Sequence, residues 1–280
     1  MPQATHILGP TVEARSAKSG STARSAQFVV KQLLQQIDGH DHVQMVLDPG
    51  FSDVTPFLHA GYEIRLDPTV LLNCRSPIDQ LWAGLRDKTR NVVRRAGEHL
   101  AVEDVDDVDR FARFYRDNLD GDEPYFDLAA SCAAIRAARD HGRAKIVAAT
   151  DRDGVTHAMV VFLWDDDQVY YFHSTRNSRV AHLGAVSLLL WHGIELAHAR
   201  ALWFDFDGGL TKPGRYKFLI SFGGEIVNRY EATRSTRTWQ VHHFVRRVPR
   251  ALGRRLKRAV MPLAEKYALL WLGMSCVGLV

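Results

Sequence analysis

The sequence predicts an α/β fold in which helices flank one mixed sheet. Three strand-like segments follow one another closely, at 145–150, 156–164 and 168–174. Asp153-Gly154 is a strong hairpin signal between the first two, and strands linked this tightly form an antiparallel meander. A helical segment, 181–199, and a further strand, 201–207, come directly afterwards. This order of elements is typical of one sheet covered by helices.

The composition is that of a globular protein. Of the 280 residues, 46% are apolar and 24% charged, which excludes a wholly disordered, collagen-like or multi-span membrane protein. The three cysteines are widely spaced and form no CxxC pair, so we expect a reducing compartment and no disulfide framework. The 13 histidines show no ligand spacing, and we predict no metal site.

The positive charge is concentrated at the C-terminus. The chain has 36 Lys and Arg against 32 Asp and Glu, a net charge of +4. From Arg246 onward there are eight basic residues and one acid, so the preceding 245 residues carry a net charge of −3. A body of this kind does not coat nucleic acid unspecifically.

Before the meander the chain reads as a series of short elements. We predict a flexible leader over 1–26, then a helix at 28–37 and strands at 42–47 and 63–72, followed by a helix at 77–98 with Ser76 as its N-cap. A strand from Ala101 and helices at 107–118 and 128–141 lead into the meander. The predicted divisions are therefore a leader (1–26), a first part with the basic helix (27–97), a main domain (98–240) and a tail (241–280).

The helix at 77–98 carries five basic residues between positions 86 and 95. One interpretation is a solvated helix face. The other is a cationic platform for phosphate groups, in which Arg90 and Arg94 bind substrate.

The strand–loop–helix segment at 168–199 is the first candidate site. A helix start after a strand offers free N–H groups and a partial positive charge, which suits phosphate. Gly184 and Ala185 open the helix, and Arg176 and Arg179 precede it, so these four are the predicted donor-binding residues. Ordinary packing is the alternative explanation of the glycine. His173, at the end of the strand, is a candidate acid or base, with a structural role as its alternative.

The second candidate is the segment 204–224. Alternation places Asp205 and Asp207 on one face of a strand, where carboxylates can orient an amine or accept its proton. Arg215 and Lys217 follow in a glycine-flanked stretch, where a cation could stabilise a developing oxyanion. Tyr171 and Tyr216 are the aromatic candidates for substrate contact. Turn formation alone would also explain the Asp and Gly residues.

Four segments in a fixed order resemble one known family. They are DPGFSDVTPFLHAGY (48–62), LWAGLRDKTRNVVRRAGE (81–98), GAVSLLLWHGIELA (184–197) and FDFDGG with RYKFLISFGGE (204–225). Together they resemble the GNAT-like acyltransferases that include the Fem-type peptidoglycan bridge aminoacyltransferases of bacteria. The resemblance covers about residues 42–235.

The resemblance implies a mostly antiparallel GNAT-like sheet with a reduced N-terminal half. It also implies acyl transfer to an amine by direct attack in the cytoplasm, with no tightly bound cofactor. Acyl-CoA is the favoured co-substrate and aminoacyl-tRNA the alternative. Two departures stand out. Phe218-Leu219 occupies the place of the family's Phe-Lys pair, with the lysine at Lys217, and the usual pyrophosphate motif before Gly184 is missing.

The tail combines a basic amphipathic stretch, 245–263, with an apolar end, 267–280. This pattern predicts peripheral membrane contact through 246–280, where a lipid-linked acceptor would lie. A helix packed on the body or in a dimer is the alternative, and the oligomeric state is left open. The acceptor would be an amino sugar, a cell-envelope precursor or a small amine. An inactive GNAT-like binding module is the hypothesis from another class.

Overall fold

The computed structural model describes residues 19–240, except 52, 120–125, 182 and 211. The helices of this part are α1 (Ser19–Gln36), α2 (Thr55–His59), α3 (Ile78–Gly84), α4 (Asp87–His99), α5 (Val108–Asp117), α6 (Leu128–Asp140), α7 (Ala185–Ala199) and α8 (Pro213–Leu219), with a 3-10 turn at Ile220–Phe222. The strands are β1 (His42–Val46), β2 (Glu63–Leu66), β3 (Thr69–Asn73), β4 (Leu100–Asp104), β5 (Ala144–Asp151), β6 (Thr156–Trp164), β7 (Gln168–Arg176), β8 (Trp203–Asp205), β9 (Glu225–Val227) and β10 (Tyr230–Ser235). None of the helices described is long and apolar enough to cross a membrane.

Seven strands form the main sheet, in the order β4-β5-β6-β7-β8-β3-β9. Each neighbouring pair is antiparallel except β7 and β8, which run parallel. The predicted mixed and mostly antiparallel sheet is thus confirmed. The parallel pair arises because α7 connects β7 to β8 and carries the chain back across the sheet.

The chain divides into two compact units. The larger unit holds Val46–Phe51 and Leu66–Tyr230 and contains the main sheet. The smaller unit holds 19–45, 53–65 and 231–240, with α1, α2 and a three-stranded sheet of order β1-β10-β2. β3 pairs with β8 and β9, and the basic helix α4 lies in the larger unit with them.

The main sheet is buried on both faces. Helices α4 and α7 cover one face, which we call the α7 core, and helices α5 and α6 cover the other, the α5–α6 core. On β6, Val160 and Phe162 enter the α7 core, whereas Met159 and Val161 enter the α5–α6 core. This alternation is the period of a strand, and burial on both faces explains why β6 is apolar from Ala158 to Trp164.

The helix predicted at 77–98 is two helices. The backbone is extended at Leu85 and Arg86, with ψ of 143° and 144°. Leu85 is buried, and the N–H of Arg86 donates to the carbonyl of Ser221 at 3.0 Å. Tertiary contacts therefore offset the lost helical hydrogen bonds. The first helix has Pro77 at its N-cap position in place of the predicted Ser76.

The strand predicted at 63–72 is also divided, into β2 and β3. Asp67-Pro68 separates them, and a proline has no N–H to give to a strand ladder. The N–H of Asp67 donates instead to the carbonyl of Arg229 at 2.9 Å. The break places an aspartate beside an arginine that is distant in the sequence.

The leader predicted over 1–26 and the tail predicted over 241–280 lie at the two ends of the chain. Helix α1 begins at Ser19, inside the predicted leader. The rest of the leader and the predicted tail, 241–280, lie outside the described residues.

Candidate active site

The central feature is an opening between the two parallel strands. β7 and β8 pair over three positions, from Gln168 opposite Trp203 to Tyr170 opposite Asp205. β8 ends there, while β7 continues to Arg176. Among the described strands, β6 is the one that pairs with Tyr171–Arg176, so β7 and β8 separate beyond Tyr170. We call this region the β7–β8 opening.

A bulge on β7 decides which side chains face the opening. The register shifts between Val161 and Phe162, whose partners are His173 and Tyr171, so that Phe172 is an extra residue. Tyr171 is buried in the α7 core, and Phe172 lies in the α5–α6 core. The hydroxyl of Tyr171 hydrogen-bonds Ser174, and burial, followed by the charge of Asp207, raises the pKa of Tyr171.

His173 lies on the α5–α6 side. Its ring stacks on Phe126 with centroids 3.7 Å apart, and its Nε2 is 3.1 Å from Ser131 Oγ. The structure therefore does not bring this predicted acid or base together with Asp205 and Asp207. Its contacts are those of a satisfied structural histidine.

Helix α7 begins where β7 ends. Its N-cap is Gly184, with φ 78°, and the helix has no side-chain cap. The N–H groups of a first helical turn have no intrahelical partner and carry a partial positive charge. Ala185 begins this turn and lines a small cavity of about 20 Å³ with His157 and Arg176. This arrangement suits an anion.

The glycine itself is needed for packing. A Cβ on Gly184 would lie 2.4 Å from Val92 Cγ1 and 3.7 Å from Ala96 Cβ, both on α4. The missing side chain thus faces α4, and the close contact between α4 and α7 depends on it. Packing against α4 therefore explains the glycine. Close approach of a ligand is not needed to explain it.

We predict that Gly184→Ala lowers the free energy of unfolding by about 2–5 kcal/mol. A left-handed φ costs an L-residue about 1–2 kcal/mol, and overpacking a core adds about 1–3 kcal/mol. Gly142→Ala is the matched control, because Gly142 also has a positive φ of 64° but a Cβ added there would meet nothing within 4 Å. Urea unfolding of both variants tests this. Equal losses would show that α4 does not restrict the position.

The two predicted donor arginines differ in their contacts. Arg176 is exposed at the end of β7 and lines the cavity at the start of α7. Arg179 donates from Nη2 to the carbonyl of Asp117 at 3.0 Å, near the end of α5. Arg176 is therefore the better placed of the two for a ligand at α7.

A histidine that the sequence analysis missed completes this corner. His157 is 5% exposed, its Nε2 is 2.8 Å from Asp151 Oδ2, and its buried Nδ1 has no hydrogen-bond partner in the described structure. The hydrogen bond from His157 is the main reason why the pKa of Asp151 is lowered. The pair anchors the β5–β6 turn beside the cavity.

The ends of β8 and of the β2–β3 link form a buried acid–arginine cluster. We use this name for Asp67, Asp205, Asp207 and Arg229. Arg229 is 3% exposed, and its Nη2 donates to Asp67 Oδ2 at 2.9 Å and to Asp207 Oδ1 at 3.0 Å. Its Nη1 lies 3.7 Å from Asp205 Oδ2. Burial would lower the pKa of Arg229, but the three carboxylates raise it. Neither Arg229 nor Asp67 was predicted.

Asp205 shapes the turn that follows β8. It is completely buried, and its Oδ1 accepts hydrogen bonds from Thr69 Oγ1 at 2.5 Å and from the N–H of Asp207 at 2.7 Å. Thr69 Oγ1 in turn accepts from the N–H of Gly208 at 3.0 Å. Burial first, and then the neighbouring Asp207, raise the pKa of Asp205 to about 6. Asp205 therefore fixes the turn through its buried hydrogen bonds and is not accessible to solvent.

This pKa predicts how stability depends on pH. The folded protein holds the Asp205 proton more tightly than the unfolded chain does, since the pKa rises from 3.8 to about 6. The resulting stabilisation is complete below pH 3.8 and is lost as the pH rises through about 6. Between pH 4 and 7, wild type should lose on the order of 3 kcal/mol relative to Asp205→Asn. Urea unfolding across this range measures the difference, and parallel pH curves would contradict the assignment.

Asp67 and Asp207 are both partly accessible carboxylates of the cluster, and Asp207 is the one at the end of β8. It follows β8 with a left-handed φ of 53°, and its side chain is 20% exposed. Arg215 donates from Nη2 to the Asp207 carbonyl at 3.2 Å, and its guanidinium lies against Gly209, where a Cβ would be 2.8 Å from Nε. Strain in a non-glycine residue is maintained only when its surroundings fix it, and such residues gather at functional sites.

The remaining predicted residues lie on α4 and α8. Arg90 donates to the carbonyls of Ala83 and Leu85 and pairs with Asp87, so it stabilises the corner between α3 and α4. Arg94 is exposed and bonds Asn91. Tyr216 and Lys217 are exposed on α8. Of the predicted site residues, Tyr171, Asp205 and Asp207 thus lie together at the β7–β8 opening.

Comparisons with known proteins agree with this geometry. Residues 83–217 match the family model of an acetyltransferase (GNAT) domain. Among solved structures, FemX is 11% identical over 76% of this chain and 75% of its own, with a TM-score of 0.58. L-PGS from Bacillus licheniformis is 14% identical over 83% and 80% of the two chains, with a TM-score of 0.51. The C-terminal domain of a putative lysylphosphatidylglycerol synthetase from Agrobacterium fabrum is 11% identical over 75% and 74%, with a TM-score of 0.53. No curated protein matches the sequence.

The match to an acetyltransferase (GNAT) domain model, together with a mixed sheet that opens between two parallel strands, defines the class of the protein as an acyltransferase. Residues 83–217 form its GNAT domain, and the shared fold agrees with the Fem-type resemblance of the sequence.

Proposed function

We propose that the protein transfers an acyl group from acyl-CoA to an amine by direct attack. The observation that carries the proposal is the β7–β8 opening, with the start of α7 at the same end of the sheet. A thioester donor has two parts that such a site can recognise: phosphates and an extended amide-bearing arm.

The donor would bind through backbone groups. Its phosphates would lie at the first turn of α7, with Arg176 as a charged partner. The extended arm would enter the β7–β8 opening along Tyr171–Arg176, where backbone groups of a strand can pair with amides as a further strand does. The missing pyrophosphate motif is compatible with this mode, since helix and strand backbones supply most of the contacts.

The chemistry would occur beside Asp207. The amine nitrogen attacks the thioester carbonyl carbon, so that a C–N bond forms and the C–S bond then breaks. The Asp207 carboxylate takes one proton from the attacking amine, and CoA leaves as the thiolate, which that proton then neutralises. Arg215 lies on the Asp207 carbonyl at 3.2 Å, and this cation, with Lys217 on α8, would stabilise the charge on the tetrahedral oxygen.

Our proposal gives Asp205 a positioning role. Its carboxylate holds the Asp207 N–H at 2.7 Å and is closed to solvent. We assign no step to His173, because its ring stacks on Phe126 and its Nε2 hydrogen-bonds Ser131.

The proposed acceptor is an amine on an amino sugar or a cell-envelope precursor. Tyr171 and Tyr216 would contact it, with the exposed Arg94 available for a phosphate. The tail, 246–280, would hold the cytoplasmic enzyme at a membrane surface that displays such a precursor. Its basic and apolar pattern supports this part of the proposal.

Aminoacyl-tRNA is the second candidate donor. Lys88 and Arg95 are exposed on α4, the helix that packs against α7. Neither has an ion-pair partner among the described residues. Such cations can track a phosphate backbone. Steep weakening of tRNA binding with salt, and its further loss in Lys88→Ala with Arg95→Ala, would support this donor.

Calorimetric titration with acetyl-CoA and with free CoA tests the favoured donor. We expect Arg176→Ala to weaken binding about tenfold, the equivalent of about 1.4 kcal/mol. Arg152→Ala is the control, because Arg152 is equally exposed on the β5–β6 turn. No binding of either compound would favour aminoacyl-tRNA, and failure of tRNA as well would favour an inactive binding module.

A further inference from the structure

The smaller unit contains a cavity that acyl transfer does not explain. It has a volume of about 530 Å³ and lies between α1 and α2, bordered by Arg234 of β10. We call it the α1–α2 cavity. Its volume is in the range of small-molecule sites, which is about 300–1,000 Å³.

Two hydrogen-bonded links join the segments that form its walls. Gln27 Nε2 on α1 donates to Asp53 Oδ2 at 2.9 Å, just before α2. Arg234 donates from Nη2 to the carbonyl of Asp38 at 2.9 Å and also pairs with the Asp38 carboxylate. The space between these links is therefore built into the unit.

The walls are apolar in part. Leu34 and Pro56 are buried and line the cavity, together with Phe28, whose side chain is 64% exposed to water. Phe28 is thus an exposed aromatic side chain at the mouth of the cavity, and a ligand could cover its apolar area.

The charges at the mouth are positive. Arg24 and Lys31 line the cavity and are exposed, and neither forms a hydrogen bond or ion pair with the residues described. His59 also lines it. Among the described lining residues Asp38 is the acid, and Arg234 pairs with it; Asp53, beside the cavity, accepts from Gln27. Within this part of the chain, Arg24 and Lys31 thus lie beside an apolar wall without an acidic partner.

We propose that the α1–α2 cavity binds a single-chain anionic amphiphile. The chain would cover Phe28 and fill the space against Leu34 and Pro56, while the phosphate or carboxylate head would meet Arg24 and Lys31. The C-terminal tail is a poor occupant because it carries a net charge of +7 from Arg246 onward. This binding site is additional to acyl transfer and does not depend on the donor.

Calorimetry with the full chain tests the site, using 1-oleoyl lysophosphatidic acid and oleate below their micellar concentrations. We expect one molecule to bind per chain. Glycerol 3-phosphate tests the head alone, and 1-oleoyl lysophosphatidylcholine tests the same chain with a zwitterionic head. Both should bind at least about tenfold more weakly, because each lacks one of the two recognised parts. A preference between the two anionic probes identifies the head as phosphate or carboxylate.

Two variants should weaken binding without unfolding the protein, since both side chains are exposed. Lys31→Glu reverses a head contact and Phe28→Ser removes a chain contact, and we expect about a tenfold loss from each. Arg152→Glu in the larger unit is the matched charge control and should change nothing. Equal loss in Arg152→Glu, equal binding of the zwitterionic probe, or binding to phosphatidylglycerol vesicles without binding of either monomer would overturn the proposal. Acetyl-CoA binding, measured on the same samples, reports separately on the proposed donor.

Discussion

Replacing Arg229 by methionine is expected to cost about 3–5 kcal/mol of the free energy of unfolding, the usual effect of breaking a buried ion pair. The guanidinium contacts Asp67 and Asp207 directly and lies 3.7 Å from Asp205. Methionine has a comparable length but leaves three carboxylates close together with no cation. Urea unfolding at pH 7 measures the loss.

The control for this variant is Arg65→Met. Arg65 also pairs with one acid, Glu231, but its side chain is 73% exposed. Exposed ion pairs contribute about 0–1 kcal/mol, so the control should lie close to wild type. A small loss in Arg229→Met would mean that the carboxylates take up protons and do not need the cation. Proton uptake of this kind would make the variant more stable as the pH falls from 7 towards 4, because its folded state would hold protons that the unfolded chain has released.

Asp207→Asn should reduce the turnover number by about 10²–10⁴-fold, the usual contribution of a positioned acid or base. The amide keeps the size of the side chain and can still accept a hydrogen bond from Arg229, so the fold should persist. Release of the CoA thiol, followed with each candidate amine acceptor, measures the rate. Circular dichroism checks that the variant is folded.

The pH profile separates a proton acceptor from a structural residue. If Asp207 takes the amine proton, Asp207→Asn should regain rate at high pH, where the free amine is already deprotonated. A merely structural role predicts a loss that is the same at every pH. Retention of full turnover at pH 7 would remove Asp207 from the proposed mechanism.

Local sequence signals predicted the meander well. Apolar runs at β5, β6 and β7 are bounded by Asp153-Gly154 and by three aspartates, and these signals act within a few residues of each other. The structure confirms the antiparallel order. Such turns need no information from the rest of the chain.

The acid–arginine cluster could not be predicted in the same way. Asp205 and Asp207 were found because they stand in one short segment. Arg229 was missed because its partner Asp67 is 162 positions away, and no local pattern marks an arginine as buried. One signal was available: Asp67-Pro68 interrupts a strand-like run, and a proline there indicates a break. The division at Leu85 and Arg86 likewise depends on a contact with the distant Ser221.

The long separation between Asp67 and Arg229 also has a consequence for biosynthesis. A nascent chain that ends before residue 229 already contains all three carboxylates, but it lacks the cation that compensates them. The repulsion opposes early formation of the turn at Asp207, and closing so long a loop carries an entropic cost. The site is thus completed among the last events of folding. Arg229 must therefore be synthesised before the turn at Asp207 can form and an acyl donor can bind beside it.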